Sequence, residues 1–274
     1  MNQLTNDLKM TDLIDKLQQH TDVSAYSPHF ITNLIENRMA QLNIASVADY
    51  QSYLTKNTSE FELFDSQLKN SYSLFFRNRL TFETLRQLVL PRLVAQKADG
   101  KEVRIWSAGC AGGQEPYSLA ILFESFRKMS STKLNYRIFA TDRDYSEIEC
   151  AVVGEYTRKE IENLTIAEKD NWFTGDKKKF KIDARLKKHI EFELFDLLDK
   201  ECICPRTSIF GGFDIIMCAN VLIYYNEFIQ QFIISNLQKC SSENGIIITG
   251  EAERELFIRS GFAEIYPHSC IFKL

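Results

Sequence analysis

The residues best suited to chemistry in this 274-residue chain stand directly after short apolar runs. The run "EVRIWSA" opens into Gly109-Cys110-Ala111-Gly112-Gly113, followed by Gln114 and Glu115. Glycines in such a place let the backbone approach a ligand closely and take positive φ. The loop is neither GxGxxG nor a P-loop, because no Gly-Lys-Ser/Thr ending follows. Glu115 stands where a phosphate site would carry a cation. It would repel a pyrophosphate but accept hydrogen bonds from an ammonium or another cationic group; its plainer role is partner to a helix dipole. Asp142 closes the run "YRIFAT" and stands where an acid binds ribose hydroxyls in dinucleotide-type folds, or caps a helix. Asp196 and Leu197 follow "IEFELF" and offer an acceptor and an apolar side chain to flank an adenine. Asn220, Val221, Tyr224 and Tyr225 follow "FDIIMCA", with the tyrosines serving either the same crevice or core packing.

These positions need a scaffold, and the pattern supplies one. Up to about residue 70 the chain reads as four helices. Leu13, Ile14 and Leu17 make one apolar stripe, and Phe30, Ile31, Leu34, Ile35, Met39 and Leu42 a longer one. Ser46 with Asp49 forms a capping signal ahead of Tyr50, Tyr53 and Leu54, and Phe61, Phe64 and Leu68 give a fourth stripe. One more helix runs from Thr81 to Ala98 with a kink near Pro91. Buried strands then alternate with helices: 115–128, the segment "YSEIECAVVG" and 227–238 are helical, and "GIIITG" is the last strand. Such alternation predicts an α/β fold, a parallel sheet covered on both faces. Ligands of these sheets sit beyond the carboxyl ends of the strands, which is where the residues above stand.

Composition narrows the class. A hydrophobic share of 45% supports a sizeable core. The longest apolar runs are shorter than the roughly 20 residues that span a bilayer, and the N-terminus lacks a signal-peptide core, so the expectation is a cytoplasmic protein without membrane insertion. A net charge of −4 gives no drive toward nucleic acid. Seven cysteines, mostly within apolar runs, read as buried thiols. Cys202 and Cys204 form a CxC without a matching ligand pair, so no metal site is expected. A ligand with ribose and adenine, no pyrophosphate clamp and a cation facing Glu115 matches S-adenosylmethionine, whose sulfonium transfers a methyl group.

The segments "SLFFRN", "RIWSAGCAGGQEPYSLA", "FATDRDYSEIECAVVGEY", "FELFDLL" and "FDIIMCANVLIYYN", spread in order over residues 70 to 250, resemble the chemotaxis receptor methyltransferases of the CheR type. The resemblance implies a Rossmann-like class I S-adenosylmethionine-dependent methyltransferase domain at 71–274, a small N-terminal helical domain at 1–70, and a short β-hairpin insertion at about 172–190. It implies a protein-glutamate O-methyltransferase that acts as a monomer on the cytoplasmic helical domain of a methyl-accepting chemoreceptor and leaves S-adenosylhomocysteine. By position, Ser71, Ser73 and Arg77 fall on family residues that line the site, with Arg77 tied to cofactor and acceptor. Glu115, Asp142, Asp196 with Leu197, and Asn220 with Val221 fall on its cofactor contacts, and the loop glycine Gly109 lies among them. Tyr224 falls on the aromatic near the transferred methyl, so Arg77 and Tyr224 are the catalytic candidates.

The chain departs from the family pattern in several places, Ser73 standing where Thr is usual and Ser71 where many members have Asn. The glycine loop reads Ala-Gly-Gly-Gln where Ser-Thr-Gly-Glu is usual, and Asp196 replaces a common Asn. The helix "ENRMAQLN", which resembles the acceptor-facing helix, holds Arg38 where several arginines are common. Where some members dock a receptor tail on the β insertion, this chain keeps hairpin signals but no longer Gly-rich loop. Seven Lys or Arg between 177 and 188 face only Asp183; they either protect a hairpin edge or meet an acidic partner. A glutamate acceptor, with a pKa of about 4.3, is already an anion at neutral pH. No general base is needed, and His20, His29, His189 and His268 all lie outside the matched motifs. Two alternatives stand beside this reading: a same-fold enzyme for a non-receptor carboxylate, and a non-catalytic module binding the cofactor or its product.

Overall fold

Among the described residues, ten strands and twelve α-helices arise where the hydrophobic period changes. The structure is a computed structural model describing residues 2–69, 72–97, 101–130, 134–176, 178–209 and 212–274, with side chains from residue 9 onward. Its contacts divide the chain into a helical unit, 1–71 with 223–231, and a sheet unit, 72–222 with 232–274.

In the helical unit, α1 (Asn2–Gln18) packs on α3 (Val47–Lys56), and α2 (Pro28–Gln41) on α4 (Ser59–Leu68). The apolar stripes become its core: Leu13, Leu17, Ile35, Tyr50, Leu54 and Phe64 are all fully buried. Ser46 caps α3, its hydroxyl accepting from Asp49 N at 3.1 Å. Arg38 is buried and does not face outward from α2. Its Nε and Nη2 each donate to Glu60 at 2.7 Å, and the Tyr50 hydroxyl donates to the same carboxylate at 2.9 Å. A buried guanidinium is tolerable only with such planar, two-point pairing. The outer face of α2 therefore carries His29, Asn33, Glu36, Asn37 and Gln41, with no lysine or arginine. The segment 223–231 belongs to this unit: Tyr225 stacks on Tyr26 at 5.5 Å, and Tyr224 O accepts from Ser27 N at 2.9 Å.

The sheet unit opens with α5 (Arg79–Thr84) and α6 (Leu90–Gln96), joined by a π-helical turn at Leu85–Val89. The single kinked helix expected from Thr81 to Ala98 is thus three pieces, ending at Gln96. Pro91 lacks an amide hydrogen, and the ladder ahead of it widens to compensate. Then come β1 (Glu102–Ala108), α7 (Gln114–Ser130), β2 (Asn135–Asp142), α8 (Tyr145–Val153), β3 (Glu155–Thr157), α9 (Ile166–Trp172), β4 (Phe173–Gly175), β5 (Lys179–Ile182), α10 (Ala184–Lys187), β6 (Ile190–Leu194), β7 (Phe213–Cys218), α11 (Glu227–Cys240), β8 (Ser241–Thr249), α12 (Arg254–Arg259), β9 (Ala263–Glu264) and β10 (Ile271–Lys273).

The main sheet has the order β6-β2-β1-β7-β8-β10-β9. Its first five strands are parallel, and the central β7 is buried along its whole length while the edge strand β6 is only partly covered. The all-parallel sheet expected from the sequence is corrected here: β10 runs antiparallel to β8 and to β9. A second sheet, β3-β5-β4, is antiparallel and begins at Glu155. Because β2 lies on one side of β1 and β7 on the other, the strand order reverses at β1, and the crevice opens at its carboxyl end.

Candidate functional site

The loop after β1 is shaped by its neighbours. Gly109 and Cys110 donate to Thr141 O, each at 2.8 Å, which lashes the loop to the end of β2. Gly109 has φ +79°, and a Cβ there would lie 2.5 Å from Val221 Cγ2. Only glycine allows both that conformation and that approach. Ala111 also has positive φ, 47°, and its N–H donates to Asp142 Oδ2 at 2.9 Å. The Tyr156 hydroxyl holds Gly112 O at 2.8 Å.

Glu115 stands in the first turn of α7, with Ser107 Oγ donating to its Oε1 at 2.6 Å. Burial pushes its pKa up to about 8; the Ser107 hydrogen bond and the Arg77 charge act against this, and the charges of Glu253 and Asp142 add to it. A carboxylate in that state is short of a cation. Asp142 is likewise raised by burial, against the pull of two backbone donors, Asp144 N at 3.0 Å and Ala111 N at 2.9 Å. Each oxygen has one bond, and an ionised carboxylate has about four acceptor sites, so room remains for hydroxyl donors.

Phe195 N donates to Asp142 O at 2.9 Å, tying the end of β6 to the end of β2. Asp196, exposed, closes a tight turn by accepting from Leu198 N at 2.9 Å, and Leu197 is half-buried beside it. Asn220 has φ 61°, and its N–H donates to Glu253 Oε2 at 2.8 Å. Arg77 is exposed, with Nη1 donating to Tyr72 O at 3.0 Å and the guanidinium 5.9 Å from the Tyr72 ring centre. Its segment is anchored on both sides. Phe76 N donates to Ser118 Oγ at 3.0 Å, and Asn78 caps α5 by accepting from Thr81 N at 3.2 Å.

The fold therefore gathers Gly109, Glu115, Asp142, Asn220, Val221 and Arg77 at the carboxyl ends of β1, β2 and β7, with Asp196 and Leu197 just past β6. Ser73 is half-buried in the segment leading to Arg77, and Ser71 lies outside the described residues. Tyr224 belongs to the helical unit, where its ring meets Phe30 edge-on at 4.9 Å. Two contributors escaped the sequence reading. Ser107 was legible as a polar residue ending an apolar strand. Glu253 was not, since "EAERE" offers three acids and only the fold turns one inward.

Away from the crevice, the basic run near the second sheet is largely engaged internally. Lys187 caps the end of α8 through Val152 O and Val153 O at 2.8 and 2.9 Å. Arg185 pairs with Asp183 at 2.8 Å, and Lys179 and Lys181 approach Glu155 at 3.4 and 3.6 Å. Among the described residues, no cluster of three or more His, Cys, Asp or Glu could hold a metal ion, and no helix is long and apolar enough to cross a membrane.

Comparison with known proteins gives two family matches, "CheR methyltransferase, SAM binding domain" over residues 71–262 and "CheR methyltransferase, all-alpha domain" over residues 10–67. The chain is 30% identical over 236 residues to a chemotaxis protein methyltransferase of Listeria monocytogenes, covering 86% of this chain and 85% of that one. It is 28% identical over 229 residues to the chemotaxis protein methyltransferase of Escherichia coli, covering 81% and 75%. A third such protein, from Borreliella burgdorferi, is 27% identical over 229 residues, covering 80% and 79%.

Proposed function

The chain belongs to the CheR methyltransferase family, and from that premise we propose that it methylates glutamate side-chain carboxylates of chemoreceptors. In this reading 1–70 form the helical domain, 71–274 the methyltransferase domain, and the β insertion near 172–190 a satellite of it. The protein acts as a monomer in the cytoplasm, on the helical cytoplasmic domain of a methyl-accepting receptor.

The observation that carries the reading is the Glu115 carboxyl at the crevice, held by the Ser107 hydroxyl at 2.6 Å and its pKa raised by burial, with the Arg77 charge acting to lower its proton affinity. The amino-acid end of S-adenosylmethionine is a zwitterion, and a cation-seeking carboxylate in the field of an exposed guanidinium fits it. The glycine at 109, whose Cβ would fill the approach, and the absence of a lysine in the loop fit the same group. Glu115 would hold the ammonium, Asp142 the ribose hydroxyls, Asp196 with Leu197 and Asn220 with Val221 the adenine side, with Ser71 and Ser73 alongside. When bound, the cofactor would supply a methyl group on sulfonium for transfer to a glutamate carboxylate oxygen, the S–CH3 bond breaking in line and S-adenosylhomocysteine leaving. Arg77 orients a carboxylate for that displacement, and Tyr224 shapes the methyl path. Orientation of this kind contributes roughly 7–11 kcal/mol in well-placed reactions.

A second reading, transfer to a carboxylate outside the receptors, draws on the buried Arg38, which leaves the outer face of α2 without a lysine or arginine. The test of both is incubation of the full chain with methyl-labelled cofactor and receptor cytoplasmic fragments. The expected label is released as methanol by mild base, as an ester requires. Base-stable label excludes carboxyl methylation, and cofactor binding without transfer to any fragment favours the second reading or a non-catalytic module.

A further inference from the structure

We infer that Glu253 is a positioning residue of the cofactor site: its buried carboxylate fixes the Asn220–Leu222 turn and, through it, the Val221 face beside Gly109. The inference rests on the reading that Asn220 and Val221 touch S-adenosylmethionine.

Glu253 is 1% exposed, whereas its neighbours Glu251 and Glu255 are exposed. It ends the short 3-10 turn after β8, so it reaches the β7 exit from a different strand. Its Oε2 accepts from Asn220 N at 2.8 Å and from Gly250 N at 2.9 Å, and its Oε1 from Leu222 N at 2.6 Å. Two of the three donors flank Val221 in the chain. An ionised carboxylate offers acceptors only, and backbone donors on a carboxylate make the stronger class of hydrogen bond.

The turn needs such a hold. Asn220 takes φ 61°, a region L-residues enter at a cost and keep only where surroundings over-determine it. Gly250 has φ −76°, open to any residue, yet a Cβ there would come 2.6 Å from Asn220 Nδ2. Glycine at 250 thus serves space, not conformation, and the space belongs to Asn220. On the far side, Val221 Cγ2 occupies the position a side chain at Gly109 would need. The loops after β1, β7 and β8 are therefore set against one another, with the Glu253 carboxylate as the fastening between the last two.

Two variants of the full chain test this, Glu253→Gln and Gly250→Ala. Glutamine keeps the shape but presents one acceptor oxygen and an NH2 donor to three N–H groups. Alanine at 250 leaves Glu253 in place and crowds Asn220. Both should weaken S-adenosylhomocysteine binding about tenfold, equivalent to about 1.4 kcal/mol. Both should raise KM for S-adenosylmethionine by a like factor, while kcat at saturating cofactor stays within about threefold. A general loss of structure would lower the fraction active without that split. If Glu253→Gln fails to fold, Gly250→Ala decides alone. Wild-type affinity in either folded variant, or a loss confined to kcat, overturns the inference. Absence of S-adenosylhomocysteine binding in the unaltered protein overturns the cofactor reading and this inference with it. That result is distinct from binding that is present in the parent and survives in the variants.

Discussion

Ser107 Oγ holds Glu115 Oε1 at 2.6 Å across the mouth of β1, yet this bond does not offset the cost of burying the carboxyl, whose pKa stands at about 8. Glu115 therefore binds its proton more tightly in the folded chain than at its ordinary value of 4.5. Between those two values the native state carries the extra proton, so stability falls as pH rises through the window and is lowest above about 8. Glu115→Gln should remove that fall. Urea unfolding without cofactor should show the variant gaining on the parent from pH 5 to pH 9, while its affinity for S-adenosylmethionine drops at least about tenfold. Parallel stability profiles would refute the assignment. Cofactor binding by the parent at pH 7 should also release a proton, read by calorimetry in buffers of different ionisation enthalpy.

Arg77 is exposed and held by Tyr72 O at 3.0 Å, a position from which it can serve either the cofactor's carboxylate or the acceptor's. Arg77→Ala should lower kcat about a hundredfold, the usual scale for removing one oriented electrostatic group, with a much smaller change in S-adenosylhomocysteine affinity. Equal losses would make Arg77 a cofactor ligand only. Rapid-quench methyl transfer beside titration calorimetry separates the two outcomes.

Gly109→Ala would introduce a side chain at φ +79° and 2.5 Å from Val221 Cγ2. The conformation alone costs about 1–2 kcal/mol. Cofactor affinity should fall at least about tenfold, and Val221→Ala in the same chain should restore part of it by opening the contact. No recovery in the double variant would place the penalty wholly in backbone conformation.

Arg38 and Glu60 lie buried with 2.7 Å bonds, side chains 9% and 2% exposed. Arg38→Met should destabilise the protein by about 3–5 kcal/mol, because Glu60 is left as an uncompensated buried charge. Changing both residues to methionine should cost less than changing Arg38 alone, by urea unfolding. A larger cost for the pair would mean the ion pair itself is strongly stabilising.

The order of helices, strands and glycine loops was legible because each follows a local rule. Stripes at helical spacing gave α1 to α4, near-continuous apolar runs gave β1, β2 and β7, and the chemistry-bearing residues stood directly after those runs. The acid at 115 in place of a lysine already spoke for a cationic ligand. What sequence could not express was distance between segments remote in the chain. The mixed sheet arose because β10 pairs antiparallel with β8, a pairing between segments that no local pattern specifies. Arg38 was read as lying on an acceptor-facing helix, yet Glu60, twenty-two residues later, takes it inside. Of three acids in "EAERE", the end of β7 accepted one. Local pattern determines which elements form and what their ends can offer. Only tertiary packing decides which charges lose water and find partners, since burial and pairing are properties of the assembled surfaces and of no single stretch.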